Sequence, residues 1–395
     1  MHVCIIGAAF SANKGAASML RAAISGLREA RPDCRITVLT TYPAQDTAIP
    51  DLPDNTEIVG LSPTALASLA IPATLSSLQC RLSRRRGRWL RRLPALRSIL
   101  ECDVVLDLAG ISFVDGRGIP TLGYNTLMTS LPLLLGRPVV KGSQAVGPFE
   151  QHLTRIAARS VLRRVTTVCA RGHLTADHLR GLGGVNVVEA ADLAFLLDEV
   201  AESPLRTPVE PTVAVVPSEV VRRFFERSGS DYLAFMDELI LGLDRRGYRV
   251  RVVPHALRPG QPASKMNDGE LAQQIANRSQ VELVEGDPSP AQLRAALAAC
   301  DAVVTSRFHA MVSALATATP VMVIGWSHKY REVLAQFGLE AAALDYRNLD
   351  AASALDHFDT IVGSGQRQVI EQRLPEVRRA AAASITAVVE AASAP

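Results

Sequence analysis

Lysine is scarce in this sequence. Lys14, Lys141, Lys265 and Lys329 are the whole set, against 38 arginines. Beside abundant alanine, that ratio is what a GC-rich genome gives. The informative question is therefore where the rare lysines and the clustered arginines fall. Net charge is also small, at +3, and aromatics make up 5%. Together these exclude a globally basic nucleic-acid binder with stacking platforms. The six cysteines, Cys4, Cys34, Cys80, Cys102, Cys169 and Cys300, form no CxxC pair. That excludes a zinc ribbon and a disulfide framework, and predicts a reducing, cytoplasmic location. The N-terminal MHVCIIGAAF lacks the basic lead and long apolar core of a secretory leader, and reads as a first strand. The longest uncharged run, Ile58–Cys80, contains Pro63 and Pro72 and does not read as a membrane span. No cluster suggests a metal.

What is present suits a large core. The chain has 395 residues, 48% hydrophobic and 21% charged, enough for two domains. Short apolar runs alternate with helical stretches, the signature of parallel α/β structure. Strands are predicted at His2–Gly7, Arg35–Thr40, Thr56–Gly60, Asp103–Leu108, Pro138–Gly142, Val165–Ala170 and Val185–Glu189. A second series follows at Thr212–Pro217, Tyr248–Pro254, Val281–Glu285, Ala302–Thr305 and Pro320–Ile324. The charged, proline-rich stretch between the series reads as a linker, 199–211. It separates an N-terminal Rossmann-like domain, 1–198, from a C-terminal one, 212–395. The predicted terminal helix, about Arg367–Ala392, is expected to pack back across the halves. Two such domains facing across a cleft form a GT-B-like α/β architecture, with ligand between them.

In such sheets ligands collect where strands end and helices begin, because helix N-termini favour anions. Five loops of this kind carry polar residues. After Ala302–Thr305 come Ser306, Arg307, Phe308 and His309, with Lys329 after the next strand. An arginine there holds a carboxylate or phosphate through two parallel hydrogen bonds, and a histidine exchanges protons near neutral pH. Arg171 ends the strand VTTVCA in the same way. The first loop, GAAFSANKGAAS, contains Asn13, Lys14 and Gly15 but matches no dinucleotide or P-loop pattern. Asp107–Gly118 and Gly142–Phe149 offer Asp107, Asp115, Ser143 and Gln144, suited to sugar hydroxyls. His255, Asn267 and Asp268 are further rim residues. Apart from these, Arg81–Arg97 holds eight arginines, Trp89 and several leucines without an acid. Such a segment suits an anionic membrane surface.

Taken in order, these segments resemble the polysaccharide pyruvyl transferase family from the first loop to about Gly338. Ser306-Arg307-Phe308-His309-Ala310 and Trp326-Ser327-His328-Lys329 match its Arg-Leu-His motif and its aromatic–x–x–Lys turn. Gly142–Phe149 is similar to its Gly-Gln-x-x-Gly-Pro-Phe segment, and Asp192 with Phe195 to its Asp-x-x-Phe segment. The first loop lacks the family's acids, and Leu108-Ala109-Gly110 stands where it has three glycines. The resemblance implies transfer of the enolpyruvyl carbons of phosphoenolpyruvate onto a sugar, with release of phosphate and no cofactor. Arg171, Arg307 and Lys329 would bind phosphoenolpyruvate, and His309 would transfer protons. Asn13, Lys14, Gly15, Asp115 and Gln144 would meet the glycan or lipid-linked acceptor. Arg81–Arg97 would make a peripheral contact with the inner face of the membrane, and no nucleic acid is involved. Two other readings stay open on the residues alone: a nucleotide-sugar glycosyltransferase with Glu332 or Glu340 toward the donor ribose, and a non-catalytic glycan- or lipid-binding protein.

Overall fold

The computed structural model describes residues 1–49, 51–69, 88–197, 210–258, 267–325, 328–347 and 349–394. It contains two parallel sheets flanked by helices. The first comprises β1 (His2–Ile6), β2 (Arg35–Thr40), β3 (Thr56–Gly60), β4 (Val104–Asp107), β5 (Ile111–Ser112), β6 (Val139–Val146), β7 (Thr167–Arg171) and β8 (Val187–Ala190). Its order is β3-β2-β1-β4-β6-β7-β8, with β5 paired to β6. The second comprises β9 (Thr212–Val216), β10 (Arg249–Val252), β11 (Glu282–Leu283), β12 (Ala302–Thr305), β13 (Val321–Ile324) and β14 (Ala343–Leu344), ordered β11-β10-β9-β12-β13-β14. In both sheets the order reverses beside the first strand, the doubly wound pattern. The fold class is thus α/β, with two Rossmann-like sheets.

The strands are continuous apolar runs because helices cover both faces. Every residue of β9, β12 and β13 is buried. Each fully buried valine or isoleucine contributes about 1.5–3 kcal/mol. The strand predicted at Pro138–Gly142 instead runs on to Val146, which puts Ser143 and Gln144 inside β6 rather than in a loop. The additional strands β5 and β14 have two residues each.

The chain divides into two compact units. Unit one contains residues 1–12, 19–196 and 379–395; unit two contains 13–18 and 197–378. The boundary differs from the predicted one at both ends of the chain. The tip of the first loop counts with unit two, and the end of the last helix, Gln366–Ser393, counts with unit one. The early part of that helix is anchored in unit two by Gln366, whose amide accepts from Val321 N at 2.6 Å. Its later part is anchored in unit one, where Ser384 Oγ accepts from Ser143 N at 3.2 Å. The predicted linker lies outside the described residues except for Glu210 and Pro211. Among the described residues no helix is long and apolar enough to cross a membrane.

Candidate active site

The site is built in unit two, at the point where the order of the second sheet reverses. Strand β12 ends at Thr305, whose hydroxyl accepts from Arg307 N at 2.9 Å and turns the chain. Arg307 then takes an extended conformation at the N-cap of the helix Phe308–Ala316. That helix is buried at every position except His309, which is half-buried, its ring Nε2 enclosed. The helix is made of small and apolar residues because it lies on the sheet, and His309 stands in its first turn, where backbone N–H groups favour an anion.

Arg307 is oriented by Asp268. Arg307 Nε donates to Asp268 Oδ2 at 2.6 Å, and Nη2 donates to Oδ1. Asp268 Oδ1 also accepts from Glu219 N at 2.9 Å, while Asp268 N donates to Ala256 O at 2.7 Å. One carboxylate thus ties the segments after β9, β10 and β12 together. Burial pushes the Asp268 carboxyl above its ordinary value, against the pull of Arg307 and the Glu219 amide. The Asp268 side chain is fully enclosed, whereas the Arg307 side chain keeps 16% of its surface exposed. The two-pronged contact fixes the plane of the fork.

The tip of the first loop joins this group. Asn13 Oδ1 accepts from Ala16 N at 2.8 Å, which caps the helix Lys14–Ala30. Lys14 Nζ pairs with Asp287 Oδ1 at 2.5 Å. Gly15 lies against the His309 ring so closely that a Cβ there would sit 2.0 Å from Nδ1. His255, buried after β10, is pushed down to about 3 by burial and by the charges of His309, Arg307 and Lys14. It is neutral at physiological pH. Lys329, in the helix His328–Ala335, places Nζ 5.2 Å from the ring centres of both Phe308 and Tyr330. The Tyr330 hydroxyl donates to Ser306 O at 3.0 Å, and burial pushes it up to about 12. Asn13, Lys14, Gly15, Arg307, His309 and Lys329 therefore all belong to unit two, with Asp268, Asp287 and Tyr330 supporting them.

Arg171, Gln144, Asp107 and Asp115 belong to unit one and are held differently. Arg171, at the end of β7, is 2% exposed and pairs with Asp192 at 2.8 Å. Gln144 is fully enclosed: its amide donates to Asp107 O at 2.6 Å and accepts from Ser112 Oγ at 2.8 Å. Asp107 in turn pairs with the buried Lys141, and Thr129 donates to it at 2.9 Å. Asp115 Oδ2 accepts from the backbone N–H groups of Glu150 and Gln151, at 2.7 and 3.2 Å. Glu332 is buried. Trp326, Ser327 and Lys265 lie outside the described residues, as do Arg81–Gly87 of the basic segment; Arg91, Arg92 and Arg97 are exposed. Among the described residues no group of three or more His, Cys, Asp or Glu is placed to hold a metal.

The model of a known family, polysaccharide pyruvyl transferase, matches residues 13–328. The chain belongs to the polysaccharide pyruvyl transferase family. The match spans unit two's loop tip, Arg307 and His309. Along nearly its whole length the chain is also similar to the amylovoran biosynthesis protein AmsJ of Erwinia amylovora. That relative is 23% identical over 410 residues, 95% of this chain and 97% of AmsJ. Among solved structures, a UDP-GlcNAc 2-epimerase of Neisseria meningitidis superposes with a TM-score of 0.62 at 10% identity, covering 99% and 100% of the two chains. A UGT transferase of Siraitia grosvenorii gives 0.60 at 10%, covering both chains fully. At such identities these likenesses concern the fold alone, which is GT-B-like. Membership of the pyruvyl transferase family makes the protein a transferase of polysaccharide biosynthesis.

Asp268 was visible in the sequence only as a polar residue beyond β10. Its signal was the local run Asn267-Asp268-Gly269 before a helix, which does not reveal a partner 39 residues away. Asp287, the partner of Lys14, left no signal at all.

Proposed function

We propose that this pyruvyl transferase uses phosphoenolpyruvate as donor and forms a cyclic ketal on a sugar of a polysaccharide, glycolipid or lipid-linked precursor. The reading is carried by His309, the one residue of its helix that is not fully buried, set beside an arginine whose fork is held in plane. The donor carries a carboxylate and a phosphate, and Arg307 and Lys329 supply cations for them. Two proton movements are required. The methylene carbon gains a proton while the first sugar hydroxyl attacks the adjacent carbon. The second hydroxyl then displaces phosphate and its proton leaves with it. His309 takes the proton from the attacking hydroxyl and delivers one to the methylene carbon, a role worth about 10²–10⁴-fold. His255 stays neutral and so adds no charge to compete with the cations.

The test is phosphate release from phosphoenolpyruvate with candidate glycans, alongside the mass of the product, which must gain pyruvate less one water. His309→Ala should lose at least a hundredfold in turnover. Near-wild-type turnover would remove His309 from the mechanism. A thermal shift with uridine diphosphate but none with phosphoenolpyruvate would replace the donor assignment with a nucleotide sugar.

A further inference from the structure

Unit one has four large hydrophobic side chains exposed among its described residues: Ile119 at 71%, Leu153 and Ile156 at 52%, and Leu174 at 37%. They are not scattered. Ile119 is the first residue of the helix Ile119–Leu134, Leu153 and Ile156 are the second and fifth of His152–Leu162, and Leu174 is the second of His173–Leu182. These three helices connect β4 to β6, β6 to β7 and β7 to β8, with only β5 between β4 and the first of them. The strands stand in that same order in the sheet. Right-handed crossovers running in one direction put all three helices on one face, with their N-termini at the carboxyl end of the strands. The helices Ile119–Leu134 and His152–Leu162 pack on each other, and packed helices lie about 8–10 Å apart, so Ile119, Leu153 and Ile156 share one face.

The charges beside the patch have one dominant sign. On the helix His152–Leu162, at ~100° per residue, Leu153 and Ile156 form one half of the exposed face. Arg155 and Arg159 form the other half, and the helix contains no acid. Arg155, Arg159 and the following Arg164 are exposed and have no ion pair among the described residues. The neighbouring helix Ile119–Leu134 has no charged residue at all. The nearby acids are largely engaged: Asp115 accepts two backbone N–H groups and Asp177 pairs with Arg180, leaving Glu150 exposed.

We infer that this rim docks on the surface of an anionic phospholipid bilayer. The aliphatic side chains enter the headgroup boundary while the arginines meet lipid phosphates, the two signals that reversible membrane attachment needs. The patch includes no residue of the arginine segment 81–97, and the inference does not rest on the identity of the donor.

Flotation of the full chain with phosphatidylglycerol–phosphatidylcholine vesicles, against pure phosphatidylcholine, tests it. The wild type should float with the anionic vesicles and release as salt rises. Leu153→Glu with Ile156→Glu should weaken binding about tenfold or more. Arg155→Ala with Arg159→Ala should cost roughly fivefold per arginine. The substituted side chains Leu153, Ile156, Arg155 and Arg159 are exposed, so urea midpoints should be unchanged and confirm that the variants are folded. Three results would overturn the inference: no flotation of the wild type, variants that float like it, or binding that vanishes only when Arg84–Arg86 are replaced by alanine. If the aliphatic variants convert an oligomer to monomers without changing flotation, the patch is a contact between copies and the membrane assignment fails.

Discussion

Gly15→Ala is the smallest change that reaches the proposed centre. A Cβ on Gly15 would lie 2.0 Å from His309 Nδ1, 2.3 Å from Cγ and 2.6 Å from Cε1. Ordinary contact begins at 3.4 Å, so the ring must retreat by at least 1.4 Å or turn to another rotamer. The ring is the part of the side chain that can turn away, so the protein should stay folded. The stability cost should stay within about 1–3 kcal/mol, the range for modest overpacking. The catalytic cost should be larger, since a misplacement of about 1 Å costs on the order of a hundredfold. Arg307 is not touched, so kcat should fall about a hundredfold while KM for the donor moves little. Gly26→Ala is the control: its Cβ would meet Ile385 Cγ1 at 3.1 Å, in a contact remote from the histidine. Steady-state phosphate release on both variants gives the comparison. Nitrogen NMR of the His309 ring reports the displacement independently of any substrate. Unchanged ring resonances in Gly15→Ala would refute the contact. Shifted resonances with turnover within a few-fold of wild type would refute the claim that ring position limits the reaction.

Two further consequences concern buried charge. Arg171→Met strands the enclosed Asp192 carboxylate and should destabilise unit one by about 3–5 kcal/mol. Replacing Asp192 by leucine as well should restore most of it, which urea midpoints of the single and double variants would show. His255 is held neutral to about pH 3, whereas the unfolded chain protonates it near 6.5. Between those values the unfolded state binds the extra proton, so stability is complete above about 6.5 and is lost as pH falls toward 3. The loss is about 3–5 kcal/mol. His255→Gln should flatten that part of the urea-midpoint profile between pH 7 and 4, and an equally steep profile in the variant would contradict the burial argument.

Much of the fold was legible because its signals are local. Continuous valine runs such as Thr212–Val216 and Ala302–Thr305 leave little choice but a covered parallel strand. What escaped depends on partners distant in sequence. Strand β5 has two residues and exists only by pairing with β6. The extension of β6 through Ser143 and Gln144 looks like a polar loop until Asp107 and Ser112 satisfy the amide. Arg307 and His309 stand out in the sequence as candidates from their place after a strand. The Asp268 that orients Arg307 does not, since a carboxylate's function depends on which loops the fold brings to it. The tip of the first loop is the sharpest case. Asn13, Lys14 and Gly15 were read as an acceptor loop of the N-terminal domain, yet their neighbours are Asp287 and His309 in unit two.

Burial distinguishes Arg171 from Arg307 where motif does not. Both close a buried parallel strand, both precede a helix, and both pair with an aspartate. Sequence therefore assigns them one role. A guanidinium enclosed to 2% exposure with a fully buried carboxylate has exchanged its solvent for a fixed partner, and an incoming anion would have to displace that partner at the cost of a stranded buried charge. Arg307 has the same fixed partner but keeps 16% of its side chain exposed, in the turn beside the half-buried His309. Its aspartate restrains the fork instead of enclosing it, so a ligand can be met without breaking the pair. Under the proposed function, the donor's anionic groups would be met by Arg307 and Lys329. Removal of Arg171 should then appear in stability first, and in donor affinity only as far as unit one is perturbed.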